Sequence, residues 1–145
     1  MAAYRVDAGQ AIRGLHGLLL SFPVALFTSA VFTDIAYLRS AEIQWTNFSA
    51  WLIAGAMVFC GIVAAWALVR LVVGFRGAAR IRLVTEFALL AVLFVLGLVN
   101  SFKHSQDGWS SVGAFGLVLS ILCALLALAS AFITFSASDQ REFAR

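Results

Sequence analysis

The side chains equipped for chemistry in this chain are few. There are two histidines, His16 and His104, and among the seven acidic residues Asp34 and Glu86 fall in or beside otherwise apolar stretches. A histidine in such a setting can serve as an axial ligand to a haem iron or as a metal ligand. A carboxylate beside it can orient the ring or hold a proton. His16 and His104 are therefore the candidate haem or metal ligands. The two cysteines, Cys60 and Cys123, are single and far apart, each inside an apolar run, where a thiol acts as a small packing group. They form no zinc, c-type haem or thioredoxin-like spacing. No arrangement completes a catalytic motif, so the expectation is a protein that is not an enzyme.

The elements that position these groups follow from composition. The chain has 145 residues, 63 % hydrophobic and 12 % charged, with mean hydropathy +0.99; a soluble domain carries about a quarter charged residues. A globule of this size leaves much of its surface exposed, so that much apolar surface requires lipid. The net charge is +3, but the ten basic residues form no stripe, which excludes a nucleic-acid partner. A helix needs about twenty apolar residues to cross the hydrocarbon core, and four segments qualify, at about 14–36, 49–72, 84–102 and 112–135. The fold class is all-α: a single polytopic domain, a bundle of four transmembrane helices. The first apolar stretch is too long for the core of a cleaved signal peptide and is expected to stay attached.

Orientation follows from the positive-inside rule. Eight of the ten Lys and Arg residues lie before the first span, in the second connection or in the tail, and only Arg39 and Lys103 lie in the other two loops. Both termini and the Arg70–Arg82 connection are thus expected in the cytoplasm, in a bacterial inner membrane. Trp45, Trp51 and Trp109 then fall at the outer interface and Trp66 near the inner one.

This topology sorts the polar residues into two levels. His16 and Asp34 are eighteen residues apart, five helical turns, so they share a face with Pro23 and Phe27 but stand about 27 Å apart. An inner level collects His16, Arg82 and Glu86; an outer level collects Asp34, Asn100, Lys103, His104 and Asp107. His16 is expected to pair with a carboxylate such as Glu86, and Asp34 with Lys103 or His104. The two histidines lie near opposite faces, which disfavours one haem held by both within a single chain. The middle is mainly apolar, which argues against an ion path.

Small residues recur at four-residue spacing, at Gly17, Ser21, Ala25 and Ser29, at Ala56, Cys60 and Ala64, and at Gly116, Ser120 and Ala124. Such stripes let helix backbones approach closely, and the first is expected to pack the first helix into the bundle. Pro23 removes one backbone donor and is expected to bend that helix.

The run His16-Gly17-Leu18-Leu19-Leu20-Ser21-Phe22-Pro23 resembles the first helix of the bacterial integral-membrane family catalogued as domain of unknown function twenty-two thirty-one. In that family a His-Pro, two or three apolar residues and a His-Phe-Pro open the helix. Here glycine follows the first histidine and Ser21 stands in place of the second. Asp34 matches the aspartate that closes the helix. The segment Asn100-Ser101-Phe102-Lys103-His104-Ser105-Gln106-Asp107-Gly108-Trp109 is similar to an Asn-x-x-x-His-x-x-Asp-x-Trp segment of some members. The likeness spans most of the chain. Similar domains occur beside or fused to cytochrome c, Rieske iron–sulfur and quinoprotein sugar dehydrogenase domains, so the resemblance implies electron-transfer complexes.

The expectation is a non-catalytic inner-membrane anchor or scaffold subunit of a membrane-bound redox complex. It needs no cofactor and contacts lipid and other membrane or periplasmic subunits. The alternative is an electron-transfer subunit carrying a b-type haem or quinone site with His16 or His104 as ligand.

Overall fold

A computed structural model describes residues 8–74, 80–106 and 112–142, with side chains as far as residue 136 in the last stretch. Among the described residues four helices make up the architecture: α1 Ala8–Ser40, α2 Ile43–Val73, α3 Arg80–His104 and α4 Ala114–Glu142. All four are long and apolar enough to cross a membrane. Each contains most of its expected span and runs past it at one or both ends, α1 by six residues at its start and four at its end and α2 by six at its start. At 33 residues α1 is about 50 Å long, against about 30 Å of hydrocarbon.

The α1–α2 turn is two residues long. Ala41 adopts a left-handed φ of 56° and donates its N–H to the Tyr37 carbonyl, while the Ser40 hydroxyl donates to Ala36 O. An L-residue in this region costs about 1–2 kcal/mol relative to the right-handed helix; the two closing bonds offset it. Pro23 is buried within an unbroken α1. The Ser21 hydroxyl donates to Leu18 O, one residue before the carbonyl that Pro23 leaves without its N–H.

The helices pack as a ring, α1 on α2, α2 on α3, α3 on α4 and α4 back on α1, with α1 and α3 on one diagonal and α2 and α4 on the other. No Cα–Cα distance within 8 Å joins the diagonal partners among the described residues. Cys60 of α2 and Cys123 of α4 are free and buried, and their Cα atoms lie beyond disulfide range. We call the end that carries Arg13, Arg70 and Arg82 inner and the other end outer.

The core between the ends is apolar, built around Leu20, Phe27, Ile53, Val63, Leu90 and Leu93. Large apolar side chains such as Phe32, Val58, Val95 and Phe132 point outward, as a lipid-facing surface requires. Ala56, Cys60, Gly116, Ser120 and Ala124 face inward, so the small residues of α2 and α4 do line helix contacts. Most of the α1 stripe does not. Ser21, Ala25 and Ser29 are exposed and Gly17 is half-buried against the Phe135 ring of α4. The face of α1 that packs carries His16, Leu20, Pro23, Phe27, Ala30 and Asp34 instead. Burial of two ionisable residues decides this, because turning the small stripe inward would turn His16 and Asp34 into hydrocarbon.

Gly97 of α3 is where this interior is tightest. A Cβ there would run into the Met57 sulfur and lie 3.2 Å from the Phe27 ring. Phe27, fully buried on α1, thus reaches across the diagonal into the space that a glycine leaves.

Candidate functional site

His16 and Glu86 of the expected inner level, and Asp34, Asn100 and His104 of the outer, gather in two clusters, one at each end of the apolar core. At the inner end Glu86 of α3 is the centre. Its Oε1 accepts a hydrogen bond from Arg70 Nη1 of α2 at 2.8 Å, and His16 Nε2 of α1 stands 3.6 Å from the same oxygen. The separation to His16 is an ion-pair distance but too long for a hydrogen bond. The His16 ring also meets the Trp66 indole edge-on, with centroids 5.5 Å apart. Glu86 and His16 are buried, whereas the Arg70 side chain is 35 % exposed and extends to the rim. The guanidinium therefore balances the carboxylate while keeping part of its own hydration. His16 Nε2 is buried without a hydrogen-bond partner among the described residues.

At the outer end the network draws on all four helices. Asp34 of α1 accepts at Oδ1 from the Ser49 hydroxyl of α2, in a short bond, and meets His104 Nε2 of α3 at 3.1 Å. Ser49 is also bonded to Thr33 Oγ1 at 2.7 Å. The other ring nitrogen, His104 Nδ1, lies 2.9 Å from the Asn100 carbonyl, and the Asn100 side chain donates to Ser120 Oγ of α4 at 3.1 Å. Asp34, Ser49, Asn100 and Ser120 are fully buried and His104 nearly so.

The donor inventory fixes part of the protonation state. A carbonyl only accepts, so His104 Nδ1 carries its hydrogen. The contact between Nε2 and Asp34 then holds one proton, carried either by an imidazolium facing a carboxylate or by a carboxylic acid facing an imidazole. The pair is neutral in both descriptions, which is how a buried acid and base avoid the cost of an isolated charge. Asp34 Oδ2 and Asn100 Oδ1 have no hydrogen-bond partner among the described residues.

The structure brings together His16 with Glu86, and Asp34 with His104 and Asn100, as the spacing predicts. The guanidinium on Glu86 belongs to Arg70, which the sequence reading leaves out of the inner level; Arg82 sits about one turn further toward the inner end on α3. Lys103 donates to Gln106 Oε1 at 2.9 Å, and the partner of Asp34 is His104. Asp107 and Trp109 lie outside the described residues. Sequence reasoning missed Ser49 as an acid partner, although its place fifteen residues after Asp34, across a tight turn, sets it at the same height on the next helix.

The two histidines stand at opposite ends, five turns or about 27 Å apart along the bundle, so one chain cannot offer both to a single iron. Both ring nitrogens of His104 are already engaged by protein groups, which leaves it no lone pair for a metal. His16 Nε2 makes no hydrogen bond among the described residues. Among the described residues no three of His, Cys, Asp and Glu come close enough together to hold a metal ion.

Comparison with known proteins agrees with this architecture. The family model described as "Predicted membrane protein (DUF2231)" matches residues 13–136, and the chain belongs to that family. No curated protein and no solved structure matches the chain.

Proposed function

We propose that this DUF2231 membrane protein is a non-catalytic anchor or scaffold subunit of a membrane-bound assembly. In this reading it lies in the bacterial inner membrane with both termini and the Arg70–Arg82 connection in the cytoplasm. One observation carries the reading. The four ionisable side chains set along the inward faces of α1 and α3, His16, Asp34, Glu86 and His104, face one another in two acid–histidine pairs with an apolar core between them. Groups committed in this way hold helices together; a carrier or pump would need some of them along a continuous polar route. A redox assembly is the one that the family resemblance implies, and the partners would be other membrane subunits or domains on the outer side.

A second reading is favoured by His16 Nε2, which has no hydrogen-bond partner among the described residues and stands beside Trp66. It makes the chain an electron-transfer subunit with a b-type haem or quinone at the inner end, a further ligand coming from another chain. Absorbance of the detergent-purified protein separates the two. The scaffold reading expects no reduced-minus-oxidised haem band, and co-purification of a defined partner from native membranes. A band lost in His16→Ala supports the electron-transfer reading and overturns the first.

A further inference from the structure

In an up-and-down ring of four helices the diagonal pairs run parallel and at equal height, so residues that face one another across the central axis keep one sequence offset. Here that offset is seventy residues: His104 pairs with Asp34 at that separation, and Glu86 with His16. Every buried position of α1, at 16, 20, 23, 27, 30 and 34, recurs as a buried position of α3 seventy residues on. The buried positions of α2 largely recur in the last quarter of the chain at a shorter offset, sixty-three, which pairs Cys60 with Cys123. The seven-residue difference is the extra length of the α1–α2 hairpin at the outer end. The fold is therefore two hairpins, α1–α2 and α3–α4, related by an approximate two-fold axis along the bundle.

At three of the α1–α3 positions the structure shows a residue meeting its own equivalent across that axis. At each, the two residues are opposites. His16 faces the carboxylate of Glu86, Phe27 faces Gly97, and the carboxyl of Asp34 faces His104. If two copies of the first hairpin packed in the same way, each residue would face itself. Two Phe27 rings would compete for a space that is filled by one, and two Asp34 carboxyls would meet in a site that holds one proton for an acid and a base. Two copies of the second hairpin would leave a void at Gly97 and set Glu86 against Glu86.

We infer that the inner faces of the two hairpins are a matched pair of interaction surfaces, each fitted to a hairpin of complementary charge and bulk and each rejecting a second copy of itself. Discrimination of this kind comes from the misfit as much as from the fit. It acts in a bilayer, where hydrophobic exclusion does not select partners. It keeps the halves of one chain together and opposes pairing of like halves between chains.

The test transposes one pair in the full-length protein. His16→Glu and Glu86→His each set like against like, whereas the double variant restores an acid facing a histidine with the sides exchanged. Thermal midpoint and the monodisperse fraction after detergent extraction are read for all three, and for Glu86→Gln, which removes the charge but keeps the shape. The expected result is that the double variant recovers more than half of the midpoint lost by the worse single variant, and that Glu86→His is more damaging than Glu86→Gln. If the single variants yield no extractable protein, extraction of the double variant is the same result in another readout. A double variant no better than the worse single, or a Glu86→Gln chain as impaired as Glu86→His, overturns the inference.

Discussion

Replacing His104 by alanine is the most direct probe of the outer cluster. The substitution leaves the fully buried Asp34 with the Ser49 hydroxyl as its one donor among the described residues. It also removes the ring that ties α1 to α3 and vacates the volume of an imidazole. Breaking a buried pair from one side costs about 3–5 kcal/mol, because the remaining group is left uncompensated. A solvent-exposed pair would lose about 1 kcal/mol or less. His104 has 5 % exposure and Asp34 has none, so the larger figure applies. The companion Asp34→Leu/His104→Leu variant removes acid and base together and is expected to regain much of the loss, short of the wild-type value because Ser49 and Asn100 lose partners. Reversible unfolding of the wild type, Asp34→Leu, His104→Leu and the double variant in mixed micelles, followed by helix content against denaturant, gives the four corners of a double-mutant cycle. A His104→Ala loss below about 1 kcal/mol would mean that the cluster is hydrated. Strict additivity of the two sites would mean that they do not share a proton.

Other expectations follow from the packing. Gly97→Ala brings a Cβ into the Met57 sulfur and should destabilise by about 1–3 kcal/mol, measured by the same unfolding assay. Arg70→Ala strands the buried Glu86, but with the guanidinium one-third exposed the loss should be discounted to about 1–3 kcal/mol. Ser21→Leu and Ala25→Leu, on the outward face of α1, should change bundle stability by no more than about 0.5 kcal/mol. An oxidant such as diamide should produce no Cys60–Cys123 cross-link on a non-reducing gel, since the two Cα atoms lie beyond 8 Å.

The four helices and the two polar heights were legible in the sequence because lipid imposes strong rules: apolar length marks a span, and an ionisable residue inside it needs a partner. Equal eighteen-residue intervals, His16 to Asp34 and Glu86 to His104, set the two pairs at matching heights. The packing face of α1 is not the one that Ser21, Ala25 and Ser29 mark, although Gly17 of the same stripe does pack on Phe135 of α4. Small residues say where two backbones can approach, whereas buried charge says which side turns inward, and in α1 these point to opposite faces. Arg70 was missed for another reason. It closes the second apolar span, where a basic residue reads as a topology signal, and only the tertiary fold shows its long side chain reaching back to Glu86. The outer hydroxyls, Thr33, Ser49 and Ser120, carry no charge and so left no trace in a count of ionisable residues.

The diagonal placement of the acid–histidine pairs also bears on biosynthesis. α1 leaves the ribosome with His16 and Asp34 exposed on one face, and the residues that neutralise them come seventy positions later. At roughly 5–20 residues per second that is a delay of about 4–14 s. Ser49, only fifteen residues behind Asp34, is the first hydrogen-bond donor to arrive. The α1–α2 hairpin is thus a semi-finished intermediate whose polar face must be shielded, by the insertion machinery or by water held there, until α3 follows it into the bilayer.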